Sequence, residues 1–559
     1  MRPIRSDIFL TGIRPYLVLS FVCALLYLPG ISGIPSLDRD ESRFAQSSKQ
    51  MVESNNWVDI RFQKEPRYKK PVGIYWLQSL SVKLFSPHNY QAIWAYRLPS
   101  ALAAWASVLL TFALANTFFG RMTSFLSSLF FAGSFIVIIE AHQAKTDAIL
   151  LSLVLLAQLI LSRLYFWCSA TGGRQQLNIF VATIFWSTIA AGVMIKGPIL
   201  PLIIILTVLV LSVWDRKWSW SAGTRPLFGV LLFLCLVLPW FVAIWKITDG
   251  RFFQESLGHD MLSKVSTGME SHGAPPGYHL LLLLVCFWPV AFYIYPALLK
   301  AWSWRDNLGI RFCIAWVVPM LVVLELVATK LPHYTLPLYP AIAIICATGI
   351  EKGYSLRGLF GNVVISLWAM TGLAIAVVFL YVPIYLNTEI TFSVLAASII
   401  LFAGVVFGLL FIYKNRYQLA TLGTVILSGA SLLCFVTLVL PNQEPLWLTK
   451  NITSDIRKQI INSGGLALWA ELNGLSKVGL EALDLIVKTS KEKGIDINNL
   501  LSSERYSLDS ESLKNIATKL ELTEQMNLIL DQLTDDIFNL PNKIIRDGSS
   551  LLEKFFLGN

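Results

Sequence analysis

Apolar runs of about 20 residues recur along most of the chain, and this repetition constrains the fold more than any other feature of the sequence. A run of that length is what an α-helix needs to cross the hydrocarbon core of a bilayer. Hydrophobic residues make up 55% of the 559 residues, and charged residues only 14%. The chain is therefore predicted to be an integral membrane protein. This composition excludes a soluble dehydrogenase, a DNA-binding protein, a secreted disulfide scaffold and a disordered chain.

The pattern predicts an all-α polytopic fold with about thirteen membrane-spanning helices. The first run is kept as a true span because no small-residue cleavage site follows it. The predicted spans cover residues 13–33, 93–119, 121–140, 147–167, 177–195, 198–214, 226–246, 277–299, 310–328, 333–350, 359–382, 391–413 and 418–440.

Lys and Arg distinguish the two sides of the predicted bundle. Alternate connections, beginning with the N-terminal segment, all carry basic residues, whereas the short connections between them carry only Lys145, Lys196 and Lys330. Basic residues are retained preferentially on the cytoplasmic side of a membrane. The asymmetry predicts a cytoplasmic N-terminus and, with an odd number of spans, an external C-terminal region.

Two connections on the predicted external side are long enough to carry a functional site. The first, residues 34–92, contains two amphipathic stretches, 42–54 and 72–85, which are expected to form interfacial helices on the membrane surface. The second long connection covers residues 247–277.

Charge divides the chain into two predicted domains. Basic residues exceed acidic ones in residues 1–440, the transmembrane domain, and the reverse holds in residues 441–559. The latter part lacks strand signals and is predicted to be a small, helical external appendage. All seven cysteines lie in or beside apolar stretches without CxxC spacing, which indicates neither a structural zinc site nor a disulfide framework.

Acidic residues follow the first predicted span in the segment LDRDESRFAQ. One interpretation is structural, because Asp38 and Glu41 have the spacing of a capping box at a helix N-terminus. The functional interpretation is that one of the carboxylates of Asp38, Asp40 and Glu41, which are expected at the outer aqueous interface close in sequence to Arg43, takes part in acid-base chemistry.

A short basic segment lies further along the same connection. Arg67, Lys69 and Lys70 precede Pro71 and a group of aromatic residues. These cations either extend toward anionic headgroups or bind a lipid-linked phosphate at membrane depth. We favour the phosphate site because positive charge is otherwise sparse on this side.

Short connections on the same side add ionisable residues. The segment AKTD places Lys145 and Asp147 at the start of the fourth predicted span, and Lys196 and Lys330 follow the fifth and the ninth. Residues of this kind at membrane depth are candidates for function. Helix capping explains Asp147 equally well, and interfacial anchoring explains Lys196 and Lys330.

The second long connection carries His259 and His272 beside carboxylates. Such groups can bind a divalent metal, transfer a proton or contact an acceptor. Their spacing matches no short zinc motif, so an ordinary solvated loop is an equal alternative.

The convergence of these groups on one side predicts an active site open to the outer leaflet. Nucleotides are generally absent there, and the sequence contains neither a Walker A pattern nor a GxGxxG loop. Energy for a transfer must then arrive with a lipid-borne activated group, and a sugar on a polyprenyl phosphate fits. Cations would offset charge on the leaving phosphate, while a carboxylate would receive the acceptor's proton.

Several segments resemble, in order, the motifs of the aminoarabinose transferases, which belong with the protein O-mannosyltransferases among the GT-C membrane glycosyltransferases. The resemblance covers roughly residues 10–450, and thirteen helices are also expected in that family. The segments are DESRFAQ (40–46), RYKKPVGIYW (67–76), AKTDAILL (144–151), IKGP (195–198), the loop 259–272, and TKLPHYTLPLYP (329–340).

The resemblance implies an inverting transfer of 4-amino-4-deoxy-L-arabinose, or a related sugar, from undecaprenyl phosphate to lipid A or another outer-leaflet acceptor in the bacterial inner membrane. The alternatives are a flippase or transporter of lipid-linked sugars and a protein O-glycosyltransferase. A transporter is expected to have internal repeats and polar residues through the membrane. The sequence shows no repeat, and the span interiors are expected to be nearly uncharged apart from Glu325.

Motif position implies specific roles. Asp40 matches the catalytic loop aspartate and Asp147 a second acidic residue. The cations assigned to substrate phosphate are Arg43, Arg67, Lys69, Lys70, Lys196 and Lys330.

One position departs from the family pattern. The family often has Glu-Lys-Pro where this chain has Lys69-Lys70-Pro71. That glutamate is linked in the family to a metal site with the histidine matched by His259. No cofactor is therefore assigned, and a divalent metal is left open. The extra lysine favours a more anionic ligand.

Overall fold

A computed structural model describes residues 11–36, 38–261, 273–356 and 358–447, with the backbone alone at residues 257 and 259–261. The chain divides into two units, Met1–Leu446 and Trp447–Asn559. The predicted helical appendage over residues 441–559 lies outside the described residues except at its beginning.

The first unit is built almost entirely from helices. A small antiparallel hairpin, β1 (Arg61–Phe62) and β2 (Glu65–Pro66), pairs Arg61 with Pro66 and Phe62 with Glu65. The helices before residue 250 are α1 (Arg14–Tyr27), α2 (Arg39–Ser54), α3 (Gly73–Phe85), α4 (Ile93–Phe118), α5 (Arg121–Ala132), α6 (Phe135–Ala141), α7 (Asp147–Thr171), α8 (Ile179–Lys196), α9 (Ile199–Asp215) and α10 (Pro226–Thr248).

The later part of the unit contains shorter and more irregular helices as well as long ones. A short helix, Arg251–Phe253, continues as a π-helix, Gln254–Met261. The later α-helices are α11 (Tyr278–Cys286), α12 (Ile294–Ala301), α13 (Leu308–Leu326), α14 (Tyr339–Glu351), α15 (Leu359–Tyr385), α16 (Phe392–Tyr413) and α17 (Tyr417–Cys434). The 3-10 turns are Ser221–Thr224, Ala291–Tyr293, Trp302–Trp304, Pro332–Leu338, Leu440–Asn442 and Glu444–Leu446, and a second π-helix covers Phe435–Val439.

Local sequence explains where several of these helices begin and end. The Asn178 side chain accepts a hydrogen bond from Val181 N (2.8 Å) before α8, and Asn307 caps α13 in the same way. Pro226 occupies the first position of α10, where a missing N–H costs nothing. Gly172, with a φ of +65°, ends α7 in a left-handed conformation that glycine adopts without strain.

The multi-pass helical architecture agrees with the prediction, but helix length does not establish the count of thirteen spans. Nine helices among the described residues are long and apolar enough to cross a membrane, or up to ten spans if the bent pair α5 and α6, at 62°, is one. The predicted spans 13–33 and 198–214 hold the shorter helices α1 and α9. The predicted span 277–299 is divided between α11, a 3-10 turn and α12.

The two amphipathic stretches of the first long connection form helices as predicted. In α2, Phe44 and Met51 are buried. This helix packs on α3, where Ser48 Oγ donates to Gln78 Oε1 (2.7 Å) and Ser79 Oγ donates to the Ser48 carbonyl (3.0 Å). The outer face of α3 exposes large apolar side chains, as a helix at a membrane interface does. They are Trp76, Leu77, Leu80, Leu84 and Phe85.

An ion pair marks the end of the bundle at which α7 and α9 terminate. Arg311, near the start of α13, donates through Nη1 to Asp215 Oδ1 (2.6 Å), and the Tyr165 hydroxyl donates to Asp215 Oδ2 (2.7 Å). We call these three residues the distal cluster, because the candidate site lies at the opposite end of α7.

Candidate active site

The first turn of α2 carries the acidic residues that follow the first predicted span. Asp38 is the N-cap residue, and its Oδ1 accepts a hydrogen bond from the backbone N–H of Asp40 (2.7 Å). The Asp40 side chain remains 55% exposed. The predicted capping role of Asp38 is therefore confirmed, and Asp40 is left facing solvent at the start of the helix.

Glu41 does not complete the predicted capping box, which would require it to accept from the backbone of the N-cap residue. Its side chain is buried and binds Arg97 of α4 through both oxygens, at 2.7 Å to Nε and 2.9 Å to Nη2. Oε1 also accepts from Ala144 N (2.9 Å), and Oε2 accepts from the Ser36 hydroxyl (3.0 Å). Tertiary pairing with a buried guanidinium thus displaces the local capping bond.

Lys145 links the start of α2 to α6. Its Nζ donates to Asp38 Oδ2 (2.9 Å) and lies 3.0 Å from Glu140 Oε1. Burial raises the pKa of Asp38, but the charge and hydrogen bond of Lys145 outweigh this effect and hold that pKa below its usual value. Burial lowers the pKa of Lys145, but the carboxylates of Glu140, Asp147 and Asp38 raise it above its usual value.

Asp147 begins α7 and is buried beside the end of α8. Lys196 Nζ donates to Asp147 Oδ1 (2.5 Å), and His333 Nε2 lies 3.9 Å from the same oxygen. The Lys196 ammonium also lies 5.6 Å from the centre of the Tyr334 ring. The N-cap residue of α7 is Thr146, and its side chain makes no capping bond. Asp147 lies in the first turn of α7, where a carboxylate is favourable, and it is also paired with Lys196.

These contacts gather ionisable groups from four separate stretches of sequence. Lys145 is close enough to Asp38, Glu140 and Asp147 for each carboxylate to raise its pKa. We call the group the polar cluster, and its members are Asp38, Glu140, Lys145, Asp147, Lys196 and His333.

Arg67 lies beside Asp40 at the edge of the first long connection. Its guanidinium is buried, 3.6 Å from Asp40 Oδ1 and 5.1 Å from the centre of the Phe44 ring. The Arg67 backbone N–H donates to the Ile60 carbonyl (2.8 Å), so the β1–β2 hairpin fixes this segment against α2. The Arg67 Nε atom is buried and has no hydrogen-bond partner in the described structure.

The remaining predicted cations differ in their surroundings. Lys69 is exposed, whereas Lys70 and Arg43 are half-buried. Lys330 is buried, and its Nζ donates to the Val327 carbonyl (2.7 Å), so its ammonium is engaged by its own turn. The side chain of His259 and the whole of His272 lie outside the description.

Comparison with known proteins finds one matching family model and several similar glycosyltransferases. The family model described as dolichyl-phosphate-mannose-protein mannosyltransferase matches residues 69–245. The undecaprenyl phosphate-alpha-4-amino-4-deoxy-L-arabinose arabinosyl transferase of Erwinia tasmaniensis is 27% identical over 435 residues, which are 75% of this chain and 76% of that protein. The chain is similar to this group of glycosyltransferases over about three quarters of its length. The Pseudomonas aeruginosa protein of the same name is 25% identical over 438 residues, covering 77% of this chain and 76% of that one.

A solved structure shares the fold of this glycosyltransferase. The crystal structure of ArnT from Cupriavidus metallidurans bound to undecaprenyl phosphate matches with a TM-score of 0.60 and 18% sequence identity, covering 80% of this chain and 79% of that one. The GT-C fold implied by the sequence motifs is thereby confirmed as the overall architecture.

A metal site of the kind associated with some family members does not fit the described residues. No three His, Cys, Asp or Glu side chains within the described ranges come together in a way that could hold a metal ion. The position matched to the family's glutamate is Lys69, an exposed cation, and an ammonium does not coordinate a metal.

Arg97 and Glu140 were not predicted as members of the site, and Lys145 was predicted as a functional candidate at membrane depth without a specific role. Arg97 and Glu140 both fall inside predicted spans, so the statement that span interiors hold only Glu325 was wrong. An ionisable residue inside an apolar run was the available signal. Glu325 itself has a structural role, since it accepts from the backbone N–H groups of Gly277 (2.9 Å) and His279 (3.1 Å) at the start of α11.

Proposed function

We propose that this glycosyltransferase moves a sugar, 4-amino-4-deoxy-L-arabinose or a related one, from undecaprenyl phosphate to lipid A or another acceptor at the outer leaflet of a bacterial inner membrane. Two relatives carry that donor in their names. In the proposed orientation the N-terminus is cytoplasmic, and the active site and the C-terminal region are periplasmic. The distribution of Lys and Arg supports this orientation.

The exposure of Asp40 is the observation that carries the proposal. A general base must reach the acceptor hydroxyl, so it must be accessible and not already neutralised by a tight ion pair. Asp40 is 55% exposed, with Arg67 no closer than 3.6 Å. The other carboxylates in the first turn of α2 and in the polar cluster are each bound by a lysine or an arginine at 3.0 Å or less. Those carboxylates are Asp38, Glu41, Glu140 and Asp147.

The donor phosphate is proposed to bind beside Arg67. A buried guanidinium is unfavourable without a close anion, and a half-exposed carboxylate at 3.6 Å compensates it only partly. A phosphate would provide several acceptor oxygens for this cation. Lys69 and Lys70, two and three residues further along the chain, and Arg43 on α2 are proposed to share that phosphate. Lys196 and Lys330 are assigned a supporting electrostatic role because both ammonium groups are already engaged.

The proposed reaction is a single displacement with inversion at the anomeric carbon. The acceptor oxygen attacks that carbon while the Asp40 carboxylate takes the hydroxyl proton. The bond between the anomeric carbon and the phosphate oxygen breaks, and its electron pair leaves with undecaprenyl phosphate. Arg67 and the neighbouring lysines offset the charge that develops on this oxygen.

Asp40→Asn tests the proposal, because it keeps the size of the side chain and removes its ability to take a proton. We expect kcat to fall by about 10²-fold or more. The matched control is Asp306→Asn, an exposed residue next to Asn307 at the start of α13. Purified proteins would be supplied with undecaprenyl-phosphate sugar and lipid A in liposomes, and glycosylated lipid A would be quantified by mass spectrometry.

Each alternative has its own outcome in this assay. Equal product from wild type and Asp40→Asn would contradict the role of Asp40. Movement of the lipid-linked sugar across the liposome membrane without transfer would identify a transporter instead. A glycosylated polypeptide, formed when a protein acceptor replaces lipid A, would identify a protein O-glycosyltransferase.

A further inference from the structure

The turn between α6 and α7 holds the first turn of α2 at two points. The backbone N–H of Ala144 donates to Glu41 Oε1 (2.9 Å), and the next residue, Lys145, donates to Asp38 Oδ2 (2.9 Å). Asp40 lies between these two anchored acidic residues. Its position is therefore tied to the turn that leads into Asp147.

The turn itself is fixed by neighbouring helices. Gln78 of α3 donates through Nε2 to the Ala144 carbonyl (3.0 Å), and Ser100 of α4 donates through Oγ to the Lys145 carbonyl (3.2 Å). Both of these side chains are buried. The Lys145 ammonium thus projects from a backbone that has little freedom to shift.

We propose that Lys145 is a positioning residue that fixes the carboxylate of Asp40 relative to the bound donor. The connection runs from Glu140 Oε1 to Lys145 Nζ (3.0 Å), from Lys145 to Asp38 Oδ2 (2.9 Å), and from Asp38 Oδ1 to the Asp40 N–H (2.7 Å). This inference rests on the proposed role of Asp40 as the base.

A simpler role for Lys145 is to neutralise the buried carboxylate of Glu140. Glu140 is 3% exposed, and its Oε2 has no hydrogen-bond partner in the described structure, so it does need the ammonium. That role would not require Lys145 to reach Asp38 as well. The experiment must therefore separate the neutralisation of Glu140 from the positioning of Asp40.

Two variants separate the neutralisation of Glu140 from the positioning of Asp40: the single variant Lys145→Met, and the double variant that combines Lys145→Met with Glu140→Gln. The single variant leaves Glu140 buried without its cation, whereas the double variant removes both charges and should unfold near the wild-type temperature. We expect both variants to lower kcat by about 10- to 100-fold, since small displacements of a reacting group have effects of this size. The donor KM should change by less than about threefold, because the phosphate site is untouched.

The pH dependence gives a readout that a purely structural role would not change. With the ammonium removed, the carboxylate of Asp38, which accepts from the Asp40 N–H, is no longer offset by a cation and favours the protonated form of Asp40. The acidic limb of kcat/KM should therefore move to higher pH in both variants. Arg67 faces Asp40 at 3.6 Å in the wild type and in both variants, and the other charged groups around Lys145 are Glu140, Lys196 and His333. Arg311→Met is the control, because it breaks an ion pair in the distal cluster and should leave kcat and the pH profile unchanged.

The outcomes of the positioning test can be distinguished from those of the proposed function. Wild-type kcat in Lys145→Met, or its recovery in the double variant, would overturn the positioning role while leaving the transferase activity in place. A wild-type protein that makes no product from undecaprenyl-phosphate sugar would refute the proposed function, and the positioning role with it. A slow double variant with a shifted acidic limb would support the inference.

Discussion

Glu41→Gln is expected to destabilise the glycosyltransferase strongly, although it changes only one atom on the residue next to the proposed base. Glu41 and Arg97 are 1% and 0% exposed, and both Glu41 oxygens accept from the guanidinium. In the glutamine variant one of these oxygens becomes an NH2 group. Because each oxygen position faces an Arg97 donor, neither orientation of the amide avoids a contact between two donors.

The size of the expected loss of stability follows from the buried charge of Arg97 that Glu41→Gln leaves without a carboxylate partner. A hydrogen bond to a charged group contributes about 1.5–3 kcal/mol, and removing one partner of a buried ion pair costs about 3–5 kcal/mol in total. Arg97 would keep its bonds from Nη1 to the carbonyls of Ile31 (2.9 Å) and Ile34 (2.8 Å), which prevent its complete isolation. We therefore expect a loss of about 3–4 kcal/mol in the free energy of unfolding.

The assay is unfolding of the purified protein in mixed micelles with increasing denaturing detergent, followed by tryptophan fluorescence. Asp40→Asn is the matched control, because it makes the same chemical change one residue earlier on a half-exposed side chain. It should lose transfer activity but lower the free energy of unfolding by only about 1 kcal/mol, because it weakens a half-exposed pair with Arg67. Glu41→Gln should lose stability first. A Glu41→Gln variant as stable as wild type would refute the argument that this buried pair holds α2 in place.

Two further predictions concern acid stability and orientation. The pKa of Asp38 is lowered in the folded protein, so its ionised form contributes stability that is complete above the unfolded pKa of about 3.9 and is lost as the pH falls through the folded pKa. The thermal unfolding temperature should therefore fall less steeply below about pH 4 in Asp38→Asn than in the wild type. An identical slope in the two proteins would contradict this assignment. Alkaline phosphatase fused after Asn89 should be active and after Arg174 inactive if residues 34–92 face the periplasm; the reverse result would place the candidate site on the cytoplasmic side.

The apolar pattern predicted most helices because a segment in lipid must satisfy its backbone hydrogen bonds internally. It was less informative where an apolar stretch does not form one continuous helix, as in residues 277–299, where α11 ends at Cys286 and α12 begins at Ile294. Hydropathy measures how apolar a segment is and does not report where its helix breaks.

The sequence predicted which residues belong to the candidate site more readily than it predicted which of them pair with each other. Asp40, Asp147 and Lys196 stood out because charge is rare beside apolar spans. The pairing of Glu41 with Arg97 joins residues 56 positions apart, and local spacing instead favoured a capping box for Glu41. Local rules describe bonds within one helix end, whereas a buried guanidinium from another helix competes for the same carboxylate through tertiary packing.

Helix geometry explains why neighbouring acidic residues in α2 have different surroundings. Residues three positions apart lie near one face of a helix, so Asp38 and Glu41 both meet the turn that contains Ala144 and Lys145. Asp40 is rotated away from Glu41 by about 100° and points out of that contact. The two flanking carboxylates anchor the helix start to buried cations, and the one between them stays exposed for an acceptor hydroxyl. Shifting the acidic pattern by one residue would bury the proposed base and expose an anchor, so the spacing of the three residues matters as much as their charge.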